Sequence, residues 1–260
     1  MLRKCVVAEF LTKAGQFGYA MKLVSDEDAQ GLQPATEARR LCILGDAVLG
    51  NVCFDDDALH GGHDAAGRSL VRAVALWRSL DSTEIDEVAL AQALSNLCFV
   101  YGHTGEFEEA EKAGREAIAI FQRLRHPRLA QAEQHLAHVF HSRGRLEEAL
   151  AMYKQSILTF RIMGTDKFDT EYACSLSSAG QMFYEIHADD PPWPKILAYL
   201  RVALVSCEGI TGPDHVEALY FRNTLARYLF FTDGAEATAV EEGSEIVLTE
   251  EDFMAIKEDS

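Results

Sequence analysis

The side chains whose placement most invites a chemical reading are histidines. His135, His138 and His141 stand three apart within one apolar-periodic stretch. Residues three apart share a helix face, so two of these imidazoles could approach one metal ion. All three cannot, because six residues carry His141 about 240° round a helix axis from His135. The spacing zinc helices use, two histidines four apart with a glutamate between, is missing. These rings therefore read as lining a polar surface, where an ordinary pKa of about 6.5 would make contacts pH-sensitive. A second cluster, His60-Gly61-Gly62-His63 beside Asp55, Asp56 and Asp57, reads as a solvated loop. No Cys or His pair follows nearby to complete a zinc site. Cys5, Cys42, Cys53, Cys98, Cys174 and Cys207 form no Cys-x-x-Cys pair and sit in apolar patterns. They read as small hydrophobes of a reducing, intracellular compartment. There is no Gly-x-Ser-x-Gly, no phosphate-binding Gly-Lys-Thr loop and no dinucleotide fingerprint, and nothing pairs a nucleophile with a base. The expectation is a protein with no enzymatic activity, no cofactor and no metal.

The elements that must position these residues show themselves by repetition. Leu94 to Ala110 reads Leu-Ser-Asn-Leu-Cys-Phe-Val-Tyr-Gly-His-Thr-Gly-Glu-Phe-Glu-Glu-Ala, and His135 to Ala149 nearly repeats its latter part. Gly105 and Gly144 are 39 residues apart, as are Ala110 and Ala149, and Phe121 and Phe160. Self-similarity at such a period marks an array in which each unit must stack on a neighbour to bury its apolar face. Leu94, Leu97, Cys98 and Tyr101 recur at helical spacing, then Ala110, Gly114, Ala117 and Phe121. Between the two runs, Gly105 can take the positive φ that ends a helix, so the unit is two helices joined at a tight turn. Cys98, Ala110, Gly114 and Ala117 are small enough to let the axes approach closely. On the outer face Glu108 with Lys112, and Glu111 with Arg115, are i,i+4 pairs worth about 0.2–0.5 kcal/mol each.

This pattern resembles the tetratricopeptide repeat. The first-helix signature appears as Leu97-Cys98 with Tyr101 and Leu136-Ala137 with Phe140; the second-helix signature appears as Ala110 with Ala117 and Ala149 with Ser156. The long period, the phrase Leu94-Ser95-Asn96-Leu97 and the stretch Gly212-Pro213-Asp214-His215-Val216 look like the longer-repeat subclass typified by kinesin light chain. No heptad coiled coil precedes the repeats, which argues against an intact kinesin light chain. The resemblance implies an all-α, right-handed α-solenoid of about five or six antiparallel helix-turn-helix repeats. It also implies a concave groove lined by first-helix positions. Those positions hold Gln92, Ser95, Asn96, Phe99 and His103, then Gln131, Gln134, His135, His138 and Ser142. Further on they hold Ser177, Ser178 and Gln181, and last Asn223, Thr224 and Arg227. In the resembled family the place of Asn96 often bonds the main chain of an extended ligand, since an amide donates and accepts at once. Here only Asn96 keeps the asparagine, so a full ladder is absent; the alternative is that Asn96 satisfies a neighbouring helix. Members that grip a terminal carboxylate use two or three basic residues on this face. Arg227 stands alone, so that function is not expected.

Taken in order, residues 1–33 read as a degenerate first repeat, because Gly15 to Ala20 copies the spacing of Gly105 to Ala110. The basic residues Arg3, Lys4, Lys13 and Lys22 leave a mitochondrial presequence as the alternative. Residues 34–234 form the array. Within it Thr36 to Val52 and Ala65 to Leu80 are helical. Asp81 with Glu84, and Asp214 with Glu217, have capping-box spacing. Pro191, Pro192 and Pro194 suit the first turn of a helix running through Val205, and Trp193 either contacts a partner or folds back over adjoining helices. Residues 235–260, with nine acids and one lysine, read as an acidic capping helix or tail.

Net charge is −17 over 260 residues. That argues against nucleic acid and anionic membrane as partners, both of which need clustered Lys and Arg. It leaves proteins and peptides, basic segments above all. The expected function is a cytoplasmic adaptor that holds a peptide or a partner's helix in its concave groove. The alternatives are a mitochondrial assembly factor of the same fold, a His-based metal-binding protein, or part of a larger motor or signalling protein.

Overall fold

A computed structural model describes residues 1–13, 16–25, 31–52, 59–166, 170–232 and 256. Among them the regular structure is helical throughout, in eleven helices: α1 (Leu2–Lys13), α2 (Phe17–Leu23), α3 (Pro34–Val52), α4 (Leu59–Ser79), α5 (Glu87–Thr104), α6 (Phe107–Leu124), α7 (Leu129–Ser142), α8 (Leu146–Met163), α9 (Thr170–Ile186), α10 (Trp193–Thr211) and α11 (Val216–Leu229). The chain forms two compact units, Met1–Arg128 and Leu129–Ser260. In the first, α1–α2, α3–α4 and α5–α6 pack as hairpins, with α3 against α2 and α1, and α5 against α4 and α3. In the second, α7–α8 and α9–α10 are hairpins, α8 packs on α9, and α11 packs on α10. There are five hairpins and one further helix among the described residues, and within each unit consecutive elements pack on one another, as in an α-solenoid. The expected terminal cap or tail lies outside the described residues, apart from the buried Ile256.

The repeat is written most clearly at the turns. Gly105, Gly144 and Gly164 take φ of 85°, 75° and 68°. Past each turn one amide reaches back to an aromatic residue's carbonyl: Glu106 to Tyr101 at 2.9 Å, Arg145 to Phe140 at 2.9 Å, Thr165 to Phe160 at 3.0 Å. His126 does the same to Phe121 at 2.9 Å, although Arg125, not glycine, fills the left-handed position there with φ of 49°. The small residues Cys98, Ala110 and Ala117 are fully buried, as is Phe121. Gly45 gives α3 its close approach to α4, since a Cβ there would stand 2.6 Å from the Leu70 side chain. The N-terminal hairpin is tied down by a buried cation. Arg40 is fully buried and donates to Glu37 at 2.7 and 2.8 Å, and to the Val24 carbonyl, at the end of α2, at 2.7 Å.

Several boundaries differ from expectation. The α5 helix begins at Asp86, whose carboxylate accepts from Ala89 N at 3.1 Å, and not at Asp81, which lies in a turn. Leu90, Ala91 and Leu94 are buried, and their burial sets where the helix must start. At α11 the capping residue is His215, whose ring accepts from Glu217 N at 3.4 Å, in place of Asp214. His60 to His63 belong to the first turns of α4 rather than to a loop. Two glycines cost a helix only about 1 kcal/mol each, less than the burial of the α4 face returns. Trp193 folds back, with its ring 5.8 Å from Tyr184 and 6.1 Å from Phe231.

Candidate functional site

The first helices of the three hairpins in the N-terminal unit border a cleft of about 320 Å³. Glu9 and Thr12 come from α1; Arg39, Cys42, Ile43 and Asp46 from α3; Asp86, Val88, Ala89 and Gln92 from the start of α5; His126 and Arg128 from the segment after α6. The groups on α3 and α5 arrive by helical periodicity. Arg39, Cys42 and Asp46 recur at three- and four-residue intervals on α3, as Val88, Gln92 and Asn96 do on α5.

A polar chain crosses between the two helices. Asn96 donates through Nδ2 to Asp46 Oδ1 at 2.5 Å, and Gln92 donates through Nε2 to Asn96 Oδ1 at 3.3 Å. Gln92 and Asn96 are both buried. Arg39 stands 3.6 Å from Asp86, the residue that caps α5. His126 accepts from Arg128 N through Nδ1 at 3.2 Å and stacks on Phe121. Burial, and then the Arg128 charge, hold the His126 pKa below its ordinary value. Burial pushes the Cys42 thiol up to about 12, with Asp46 adding to the shift, so this cysteine is no nucleophile at neutral pH.

The other expected groove positions differ in burial and in partners. On α5, Phe99 and His103 gather with His63 of α4. The two imidazoles stack at 4.9 Å, and His103 Nδ1 lies 2.9 Å from the Phe99 carbonyl and so carries the proton. Burial lowers the His103 pKa, with the nearby His63 acting in the same direction. Ser95 is buried. In the C-terminal unit, Gln131, His135 and His138 are half-buried on α7 and Ser142 is exposed, while Gln134 is buried with Oε1 unpartnered. Ser178 bonds the Tyr153 hydroxyl, and Gln181 donates to the buried Ser177 at 3.4 Å. Thr224 is turned back on its own helix, to the Tyr220 carbonyl at 2.9 Å, whereas Asn223 and Arg227 are exposed. His141 pairs with Glu185 at 3.1 Å. Among the described residues no three His, Cys, Asp or Glu are grouped to hold a metal.

Sequence reasoning missed Arg39, Asp46, Asp86 and Arg128. Asp46 carried a signal, a carboxylate inside the apolar run from Leu41 to Val52. It also missed Glu133, an acid at 4% exposure whose pKa burial raises to about 7 against hydrogen bonds from Thr159 and Gln155.

Residues 89–157 match the tetratricopeptide repeat family. That stretch carries tetratricopeptide repeats. The solved structures agree on the fold. The nearly identical TPR-like repeats of a Podosopora anserina protein assigned as a kinesin light chain share 17% identity, cover 81% of this chain and 94% of that one, and superpose with a TM-score of 0.57. BtubC (BKLC) from P. vanneervenii shares 13% identity over 99% of this chain and 88% of its own, with a TM-score of 0.57. NprR, solved in complex with its cognate peptide NprX, shares 13% over 92% of this chain and 64% of its own, with a TM-score of 0.66. No curated protein sequence matches the chain. With identities this low, the likeness is one of fold, and it includes the resemblance to kinesin light chain repeats. Among the described residues no helix is long and apolar enough to cross a membrane.

Proposed function

We propose that this repeat protein is a non-enzymatic adaptor that holds a peptide or a partner's helix against the first helices of its N-terminal hairpins. The observation that carries this reading is the cleft bounded by α1, α3 and α5, where polar side chains are held in fixed positions by partners on neighbouring helices. A receptor whose groups are already ordered loses little entropy on binding. The peptide complex of the fold relative NprR supports a peptide as the ligand class, and the net charge of −17 supports a basic one. The buried free thiols Cys5, Cys42, Cys98 and Cys207 suit the cytoplasm, and recovery of the protein in the mitochondrial fraction would place it elsewhere.

Val88 lines the cleft and makes none of the polar contacts above, so Val88→Trp fills the space while sparing them. Affinity capture with wild type and with this variant, both checked for an unchanged melting curve, tests the reading. The expected result is a set of partners that wild type retains and the filled variant loses. Identical partner sets would remove it.

A further inference from the structure

The polar chain on the cleft wall has a direction. A carboxylate accepts hydrogen bonds, so the Asn96 atom that faces Asp46 at 2.5 Å is its amide nitrogen. The Asn96 oxygen is then the acceptor for Gln92, which turns Nε2 towards it at 3.3 Å. Donors are thus committed towards Asp46, and the chain ends on an acceptor, Gln92 Oε1. That oxygen is buried and has no partner, in a side chain that lines the cleft and is 9% exposed. Buried carbonyls are nearly always matched by a donor, so this one is a place reserved for something that brings an N–H.

The charges around it select which kind. The cleft is lined by three carboxylates, Glu9, Asp46 and Asp86, against two guanidiniums, Arg39 and Arg128. Arg39 is already set against Asp86 at 3.6 Å. A ligand carboxylate would meet like charge and a carbonyl lone pair, satisfying neither. A cationic donor satisfies both. A volume of about 320 Å³ is at the small end for ligand pockets, so one or two side chains enter and the rest of the ligand lies outside.

We infer that the ligand of this cleft inserts a cationic hydrogen-bond donor, the guanidinium or ammonium group of an Arg or Lys side chain, with an N–H on Gln92 Oε1 and its charge towards Asp46 and Glu9. The inference rests on the reading of the cleft as the ligand site, and it adds the chemistry of what enters.

The test is selection of a phage-displayed library of random twelve-residue peptides on the full chain. Enriched peptides are then resynthesised with arginine replaced by citrulline, which keeps three of the five N–H donors and loses the charge, or with lysine replaced by norleucine, which loses both donors and charge. Enriched peptides are expected to share an Arg or Lys. Affinity should fall roughly ten-fold with citrulline and further with norleucine, as for a charge-assisted hydrogen bond. Gln92→Leu should cost a similar factor, and Gln92→Glu should bind as tightly as wild type or tighter. Asp46→Asn should weaken binding too; if it fails to fold, the citrulline and Gln92 arms still decide. Enriched peptides that lack a cation yet lose binding on Val88→Trp overturn this inference and leave the cleft as the ligand site. Peptides indifferent to Val88→Trp, or no enrichment at all, remove the cleft reading and the inference with it.

Discussion

At the turn of α5–α6 the Tyr101 carbonyl accepts from Glu106 N; at the turn of α7–α8, 39 residues on, the Phe140 carbonyl accepts from Arg145 N at the same 2.9 Å. Leu97 and Leu136, Cys98 and Ala137, Ala110 and Ala149 are buried alike. The polar positions behave otherwise. Leu94 of α5 is 2% exposed, and the same slot on α7 holds Glu133 at 4%. Asn96, bonded to Asp46, is matched by His135; Ser95 by Gln134. Stacking demands that every hairpin bury the same apolar face and turn at the same place, so those residues repeat. Nothing in stacking dictates which polar group fills a buried slot, and there the hairpins diverge. The N-terminal unit meets its buried charge with partners, as at Arg40, whereas in the C-terminal unit Glu133 keeps one carboxylate oxygen, Oε2, without a partner.

The largest effect that would break this contrast is at Arg40. Arg40→Leu leaves Glu37 and the Val24 carbonyl without their buried donor, and loss of one partner from a buried ion pair costs about 3–5 kcal/mol. Urea unfolding should show that loss, with amide exchange rising first in α1 and α2. A change under 1 kcal/mol, on the scale of an exposed pair, would mean the cation is not structural.

Next comes Glu133, and the sign follows from linkage. Its pKa is about 7 in the fold against an ordinary 4.5, so between those values the folded chain binds more protons than the unfolded one. Stability therefore falls as pH rises from 4.5 towards 7, and it levels off above. Glu133→Gln should remove that slope and stabilise the protein by roughly 1–3 kcal/mol above pH 7, with the advantage gone near pH 4.5. Thermal melts from pH 4.5 to 8 check it; parallel curves for the two proteins would contradict it.

The smallest effect sharpens the comparison at a turn. Arg125 and Gly164 occupy the same repeat position, both left-handed, and only Arg125 carries a Cβ there. Arg125→Gly should gain about 1 kcal/mol and Gly164→Arg should lose about as much. Equal melting temperatures for wild type and both variants would show that the turn carries no strain.

Much of this fold was legible in the chain because it is periodic. The glycines at 105 and 144, the alanines at 110 and 149 and the phenylalanines at 121 and 160 announce paired helices, and each stands where its spacing requires. Helix starts were harder. Asp81 and Asp214 carry the right spacing for caps, but the apolar faces of α5 and α11 fix entry later, five residues on at Asp86 and one residue on at His215. The site was legible only in part. Gln92 and Asn96 lie where the helical register puts them, yet what they do depends on Asp46, 50 residues earlier. No local pattern reports that meeting, because it is created by the packing of α3 on α5. His63 was misplaced in a loop for the same reason, since its partners, Phe99 and His103, belong to another hairpin.

The central claim, that the cleft between α1, α3 and α5 is where ligand binds, is tested most directly by photo-crosslinking. A selected peptide carrying benzoylphenylalanine beside its cation is irradiated with the full chain, and the labelled residues are read by mass spectrometry. The account predicts adducts on Thr12, Ile43 or Val88, lost when unlabelled peptide is added in excess. Adducts confined to residues 129–232, with the cleft unlabelled, would contradict it.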